Sequence, residues 1–410
     1  MNADAKELAA RFDLEKLTPE FYDNPYPTYR ALRENEPVKR LPNGTVFLTR
    51  YDDLVTTYKN TKSFSSDKKR EFAPKYGDTP LYEHHTTSLV FNDPPSHTRV
   101  RRLIMGALSP RAIAGMESDL IKLVDGLLDA IAAKGACELI EDFAASIPIE
   151  VIGNLLDVPH DERGPLRDWS LAILGALEPV VSPDVAARGN KAVTDFLAYL
   201  ETLVARRRVK PGNPERDVLT RLIQGEGNGE DNGERLTEKE LLHNCIFLLN
   251  AGHETTTNLI GNGLVALDRN PDQKQRLIDD PDLIKTAVEE MLRYESSNQL
   301  GNRMTAERVE LGGVMLEAGT SVTLCIGAAN RDPAQFPDPE RFDIARTPNR
   351  HLAFATGAHQ CAGMALARLE GAIAISRFLA RFPNYAVSGQ PVRGGRVRFR
   401  GFLSVPCALG

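Results

Sequence analysis

No apolar run in the sequence approaches the ~20 residues that a membrane span requires, and only one tryptophan is present in 410 residues. Cysteine is sparse too. The five (137, 245, 325, 361 and 407) are odd in number and widely scattered, which excludes a disulfide framework and points to reduced thiols in the cytoplasm. Neither sign of charge is in large excess: 50 Lys+Arg stand against 56 Asp+Glu, a formal charge of -6. That balance argues against a nucleic-acid binder, which usually carries a strong basic excess. Met1 to Leu14 mixes charge with alanine and lacks the apolar stretch of a secretory signal. With 42% hydrophobic and 26% charged residues, disorder and fibrous repeats are excluded as well. These absences describe a soluble globular chain and leave its task open.

Helical periodicity dominates what is there. The pattern predicts helices near 52–59, 97–108, 117–133, 142–156, 165–178, 184–208, 282–294 and 361–381. The clearest helix starts at Thr237, with Glu240 completing a capping box, and stops before Asn270-Pro271. It would span roughly 50 Å at ~1.5 Å per residue, enough to cross a whole domain. Val38 to Leu41 and Val46 to Thr49 flank Pro42-Asn43-Gly44 and predict a hairpin. Other strand-like runs are Val309 to Leu311, Ser321 to Cys325, Arg396 to Phe399 and Phe402 to Val405. The β-rich parts therefore fall near 38–50, 309–325 and 396–406. Gly225 to Gly233 reads as a surface connection, and no repeat or long linker divides the chain. The expectation is one catalytic unit over 1–410, mainly α with a smaller β region.

Four segments carry candidate chemistry. In FATGAHQCAG (354–363), a turn at Gly357 and a helix opening at Cys361 would put that sulfur at a helix N-terminus. Unpaired N–H groups and the helix dipole there favour a thiolate, which is a good metal ligand. A buried cysteine in a glycine-containing turn is the equal alternative. In the middle of the long helix, AGHETTT (251–257) places glycine and three threonines where helices disfavour them, by roughly 0.5–1 kcal/mol each. A threonine hydroxyl bonded to the helix carbonyl bends the helix and opens a groove, and Glu254 beside Thr255 offers a short proton path. Taken alone, an irregular helix with a solvated acid explains the same residues.

The third segment is Glu290 with Arg293, three apart on one helix face, to which Arg341 of Pro339-Glu340-Arg341-Phe342 would add a second guanidinium. The fourth puts His97 and Arg101 on one face, where they suit an anionic group as well as a solvated basic face would.

In order and spacing, these four segments resemble the cytochrome P-450 family of heme-thiolate monooxygenases, over essentially the whole chain. The matching motifs are His97/Arg101, AGHETT, Glu290–Arg293, PERF at 339–342 and FATGAHQCAG. One departure is Ala355, where the family pattern has glycine. The resemblance implies a cytochrome P-450 fold with a long central helix over heme b, and Cys361 as the axial metal ligand. It implies that His97, Arg101, Arg303 and His359 bind the heme propionates, and that Glu254 and Thr255 guide protons. Glu290, Arg293 and Arg341 would form a structural triad. Phe72, Tyr82, Phe91, Ala251, Asn298 and Gln299 would meet substrate, with Tyr76, Lys75 and Arg70 near it; His253 has no assigned role.

The implied activity is hydroxylation or O-dealkylation of a small polar-substituted organic molecule with O2. NAD(P)H electrons would arrive through a ferredoxin reductase and a ferredoxin docking near Arg99, Arg102 and Arg368. The protein is expected to be a cytoplasmic monomer with no nucleic-acid or membrane partner. Other readings are a peroxide-using heme peroxygenase, a non-enzymatic heme sensor, and a zinc site of His351, His359 and Cys361 that lacks a fourth ligand.

Overall fold

Thr237 and Glu240 cap each other at the start of the longest helix. The Thr237 hydroxyl accepts the Glu240 N–H at 3.2 Å, and the Glu240 carboxylate accepts the Thr237 N–H at 2.9 Å. This computed structural model describes residues 3–214, 217–225 and 236–410. The helix runs over Glu238–Arg269, 32 residues, and from Leu241 to Leu267 it is buried on nearly every face. A helix with no solvated stripe has to run through a core. Here the helices Ser146–Leu155, Leu166–Gly175, Pro183–Val209, Ile284–Tyr294 and Met364–Arg381 pack around it.

The smaller β region forms separately. The expected hairpin pairs Val38–Arg40 with Val46–Leu48, Lys39 opposite Phe47. Val46–Leu48 continues parallel to Ser321–Cys325, which pairs antiparallel with Leu300–Thr305. Phe64–Ser65 completes a five-stranded sheet. Leu300–Thr305 escapes prediction because Gly301 and Asn302 are poor strand formers. Partners on both sides hold it in place, and it delivers Arg303 to the site described below.

Several boundaries move. The region 142–156 splits into a wide π-turn, Leu139–Ala144, and the helix Ser146–Leu155. The last long helix begins at Met364, three residues after Cys361. Arg396 to Phe399 is no strand; only Phe399 bridges, to Asn298, because the arginine side chains take up other partners. Two helices above the site, Lys69–Tyr76 and Pro80–Thr87, are not anticipated: the first holds Pro74 in its interior and the second has little apolar periodicity. Residues 226–233 of the glycine-rich stretch lie outside the described residues. Among the described residues, no helix is long and apolar enough to cross a membrane.

Glu290 and Arg293 are fully buried and joined by two bonds of 2.7 Å. Arg293 also donates to the carbonyls of Asn330 (2.9 Å), Pro339 (2.8 Å) and Arg341 (3.0 Å). The expected third member is corrected here: Arg341 supplies its carbonyl while its side chain is exposed. The guanidinium that reaches Glu290 belongs to Arg346, with Nε at 3.2 and 3.1 Å from the two oxygens. Two arginines five residues apart in one irregular segment are indistinguishable by sequence, and the path of the loop selects between them.

Charge-assisted bonds to a buried carboxylate are worth ~1.5–3 kcal/mol, whereas exposed side chains usually matter by under ~0.5 kcal/mol. Arg346→Ala should therefore lower the denaturant midpoint clearly, and Arg341→Ala should leave it almost unchanged. Equal midpoints for the two variants would refute the exchange of roles.

Candidate active site

The chain from Phe354 to Cys361 folds back on itself. The Cys361 N–H donates to the Phe354 carbonyl at 2.9 Å, and the Ala355 N–H donates to that of Leu352 at 2.8 Å. Ala355 closes this turn at φ 52°, in the left-handed region. Gly357 has φ 76°, and a Cβ there would lie 2.7 Å from the Tyr58 carbonyl oxygen, so only glycine fits. The loop presents Cys361 to a cavity of about 540 Å³. Opposite it stand Asn250, Ala251, Gly252, Thr255 and Thr256 of the long helix.

The expected helix-terminal support for the sulfur is modified. Burial pushes the Cys361 thiol up, and the Gly363 N–H, Arg101 and Arg368 oppose that rise. Because the helix starts at Met364, a single backbone donor stands in for a helix N-terminus.

His97, Arg101, Arg303 and His359 all line the same cavity. The two imidazoles of His97 and His359 lie 3.9 Å apart between ring centres, tilted by 34°. Arg101 donates to the Gln360 carbonyl at 2.7 Å, and Arg303 to its neighbour's, that of Asn302, at 2.7 Å. Both ring nitrogens of His97, Nε2 of His359 and Nε of Arg303 are buried without a hydrogen-bond partner. Burial, reinforced by the neighbouring cations, lowers His97 to about 4 and His359 to about 2, so both rings are neutral. Leaving a buried polar atom unpaired costs ~1–3 kcal/mol. The N–H groups left unpaired on the two imidazoles and on Arg303, with Arg101 beside them, mark a place for a ligand that brings its own anionic acceptors. One sulfur and this ring of donors on a single cavity fit a metal-bearing macrocycle with acidic arms.

Thr255 Oγ1 donates to the Ala251 carbonyl at 2.7 Å, one turn back on the same helix. Glu254 is 7% exposed and does not line the cavity; Arg396 grips both of its oxygens, at 2.7 and 2.8 Å. Burial pushes its carboxyl up to about 7, with Arg396 pulling the other way. His253 turns to Ser170 at 3.3 Å.

Of the expected substrate contacts, Phe72, Phe91, Ala251 and Asn298 line the cavity, and Asn298 keeps a buried Oδ1 without a partner. Two do not. Gln299 Nε2 donates to the Ser296 carbonyl at 2.7 Å and so serves the backbone, and Tyr82 packs at the edge of the main core. Alternation turns Gln299 away from the face that Asn298 occupies. Tyr76 is also diverted, its hydroxyl donating to the Ala176 carbonyl at 2.5 Å.

The basic patch is thinner than expected: Arg99 pairs with Glu240, and Arg368 binds Glu289 at 2.6 and 2.8 Å. His351 also goes to Glu289, and no cluster of three or more metal-ligating side chains occurs among the described residues. Sequence reading missed Arg396 and Arg398. Their signal was the alternation Arg396-Val397-Arg398-Phe399-Arg400, in which buried apolar residues force the cations to find internal partners.

A thiol and an anion-binding ring sharing one cavity, crossed by a through-going helix, define a heme-thiolate protein. The comparisons agree. The family model "Cytochrome P-450" matches residues 176–392. The chain is 36% identical to a biotin biosynthesis cytochrome P-450 of Bacillus subtilis, over 89% of this chain and 91% of that one. It is also 36% identical to the vitamin D(3) 25-hydroxylase of Pseudonocardia autotrophica, over 95% of each. Its fold is similar to the crystal structure of P-450BioI in complex with an acyl carrier protein ligated to hexadec-9Z-enoic acid. That likeness has a TM-score of 0.89 at 34% identity, covering 96% of this chain and 100% of the other. The chain belongs to the cytochrome P-450 family. It is a monooxygenase, and its cofactor is heme b.

Ala355→Gly provides a test of the ligand loop. A left-handed non-glycine residue costs ~1–2 kcal/mol, while glycine adds ~0.5–1 kcal/mol of chain entropy to the unfolded state. The substitution should therefore raise stability by up to ~1 kcal/mol, read from the unfolding midpoint of heme-loaded protein. A lowered midpoint would contradict the strain.

Proposed function

We propose that this monooxygenase hydroxylates or O-dealkylates a small, polar-substituted organic molecule, and that Cys361 would hold the heme iron. The carrying observation is that Cys361 alone of the five cysteines lines the cavity, while the other four are buried elsewhere in the core. His97, Arg101, Arg303 and His359 would hold the heme propionates, which would supply acceptors for the N–H groups left unpaired on His97, Arg303 and His359. When bound, heme b supplies the activation of dioxygen, one atom of which enters the substrate while the other leaves as water.

The rest is the work of side chains. Thr255, which lines the cavity on the long helix, offers a hydroxyl on the path of protons to dioxygen. Glu254, with its carboxyl raised toward neutrality, exchanges protons near pH 7, and Arg396 sets where it rests between transfers. Phe72, Phe91 and Phe399 exclude water and give the substrate an apolar bed, and Asn298 Oδ1 accepts one polar group from it. Five cysteines without a disulfide suit a cytoplasmic enzyme that takes NAD(P)H electrons through a reductase and a ferredoxin. The ferredoxin docks on the face nearest Cys361.

Cys361→Ser should abolish the thiolate-type carbon monoxide band of the reduced protein, and the same change at Cys137, Cys245, Cys325 or Cys407 should leave it intact. Persistence of the band without Cys361 would sink the assignment. For the relay, Thr255→Ala should keep consuming NAD(P)H while releasing more peroxide and less product. Steps of this acid–base type are often worth about 10²–10⁴-fold. Unchanged coupling of electrons to product would remove Thr255 from the proton path.

A further inference from the structure

The cavity wall carries cations that the donor ring beside Cys361 does not use. We propose that Lys75, Arg398 and His85 form a carboxylate-binding pole of this cavity, and that the substrate is an organic acid whose apolar body lies against Phe72, Phe91 and Phe399. The proposal rests on the reading of this cavity as the substrate site and narrows it to one substrate class.

All three polar side chains line the cavity. Lys75 Nζ donates to the Glu178 carbonyl at 2.8 Å, and Arg398 Nε donates to the preceding carbonyl, that of Leu177, at 2.9 Å. Adjacent carbonyls bring the two cations together. The remaining bonds of Arg398 run to the Leu300 carbonyl at 2.9 Å and to Asn302 Oδ1 at 2.5 Å. Every one of these acceptors is neutral, so neither cation has a carboxylate partner among the described residues. Each keeps N–H groups to spare.

The nearby carboxylates are already engaged. Glu71 is bound by Lys68 at 2.5 Å, and Glu178 accepts the backbone N–H groups of Val397 (2.9 Å) and Arg398 (3.2 Å). Lys68, Lys75 and Arg398 thus face two occupied carboxylates, which leaves one positive charge over. A single carboxylate neutralises it.

His85 is the independent observation. It is 1% exposed, and its Nε2 has no hydrogen-bond partner. Burial, with Lys75 and Arg398 next in effect, holds the ring neutral, so in the Nε2–H form it is a donor still without an acceptor. Two cations and one neutral donor on one cavity wall would offer a monoanion charge-assisted hydrogen bonds, the stronger kind. Leu89, Leu174 and Phe247 also line the cavity and suit a hydrocarbon body. The competing role is helix capping, because the Leu177 and Glu178 carbonyls follow the helix Leu166–Gly175, whose negative end attracts cations.

Calorimetry separates the two roles. Holoenzyme of wild type, Lys75→Gln, Lys75→Arg and Arg398→Gln is titrated with two acids, tetradecanoic and 4-cyclohexylbenzoic, and with their methyl esters. The heme absorption shift is followed in parallel. Wild type should bind each acid at least about tenfold more tightly than its ester, as expected for one charge-assisted contact. Lys75→Gln and Arg398→Gln should erase most of that preference by weakening acid binding alone, and Lys75→Arg should retain it. Equal binding of acid and ester by wild type, no saturable acid binding, or a preference that survives both neutral variants would overturn the proposal. A lowered melting temperature with the acid preference intact would assign the cations to capping and overturn it too. The carbon monoxide spectrum judges the heme-thiolate reading separately, since its failure would leave the calorimetric acid preference standing.

Discussion

The Glu290 carboxylate is the fixed point of this fold. It lies in the interior at zero exposure and collects Arg293, Arg346, Asn349 and the Asp343 backbone N–H. A buried charge is tolerated only when its lone pairs are filled, and removing one partner of such a pair typically costs ~3–5 kcal/mol. The segment 337–349 has almost no regular structure of its own and is held by these bonds. Five residues beyond Asn349 the same chain enters the turn that presents Cys361. The position of the sulfur therefore depends on a carboxylate in a different helix.

The cavity has two electrostatic regions with different origins. Beside Cys361, two guanidiniums and two neutral imidazoles meet with several nitrogens unsatisfied, an arrangement that is costly for the protein alone and relieved by an anionic cofactor. Farther round, the segment 396–400 sends its arginines inward in alternation: Arg396 to Glu254, Arg398 to the cavity wall, Arg400 to Glu295. One short irregular stretch thus serves Glu254, the proposed substrate pole and the core.

Glycine and alanine decide the shape of the ligand loop. Gly357 is required by the Tyr58 carbonyl, but the neighbouring left-handed position is filled by Ala355, which accepts strain in exchange for a methyl packed on the β-region core. The departure noted in the sequence is a real backbone feature: the turn keeps its shape with the wrong residue in it.

The sequence by itself determined the long capped helix, the hairpin and the mainly helical class, because capping, turn chemistry and apolar periodicity act over a few residues. It also singled out Cys361, Glu254, Thr255, Glu290 and Arg293, whose residue types sit in unusual local settings. Tertiary structure alone decided which arginine completes the Glu290 cluster, that Gln299 faces the backbone while Asn298 faces the cavity, and that Arg396 holds Glu254. It also decided the helix start at Met364 and the meeting of Lys75, His85 and Arg398. Those outcomes depend on side chains up to hundreds of positions apart competing for the same buried acceptors, and no local pattern records which competitor wins.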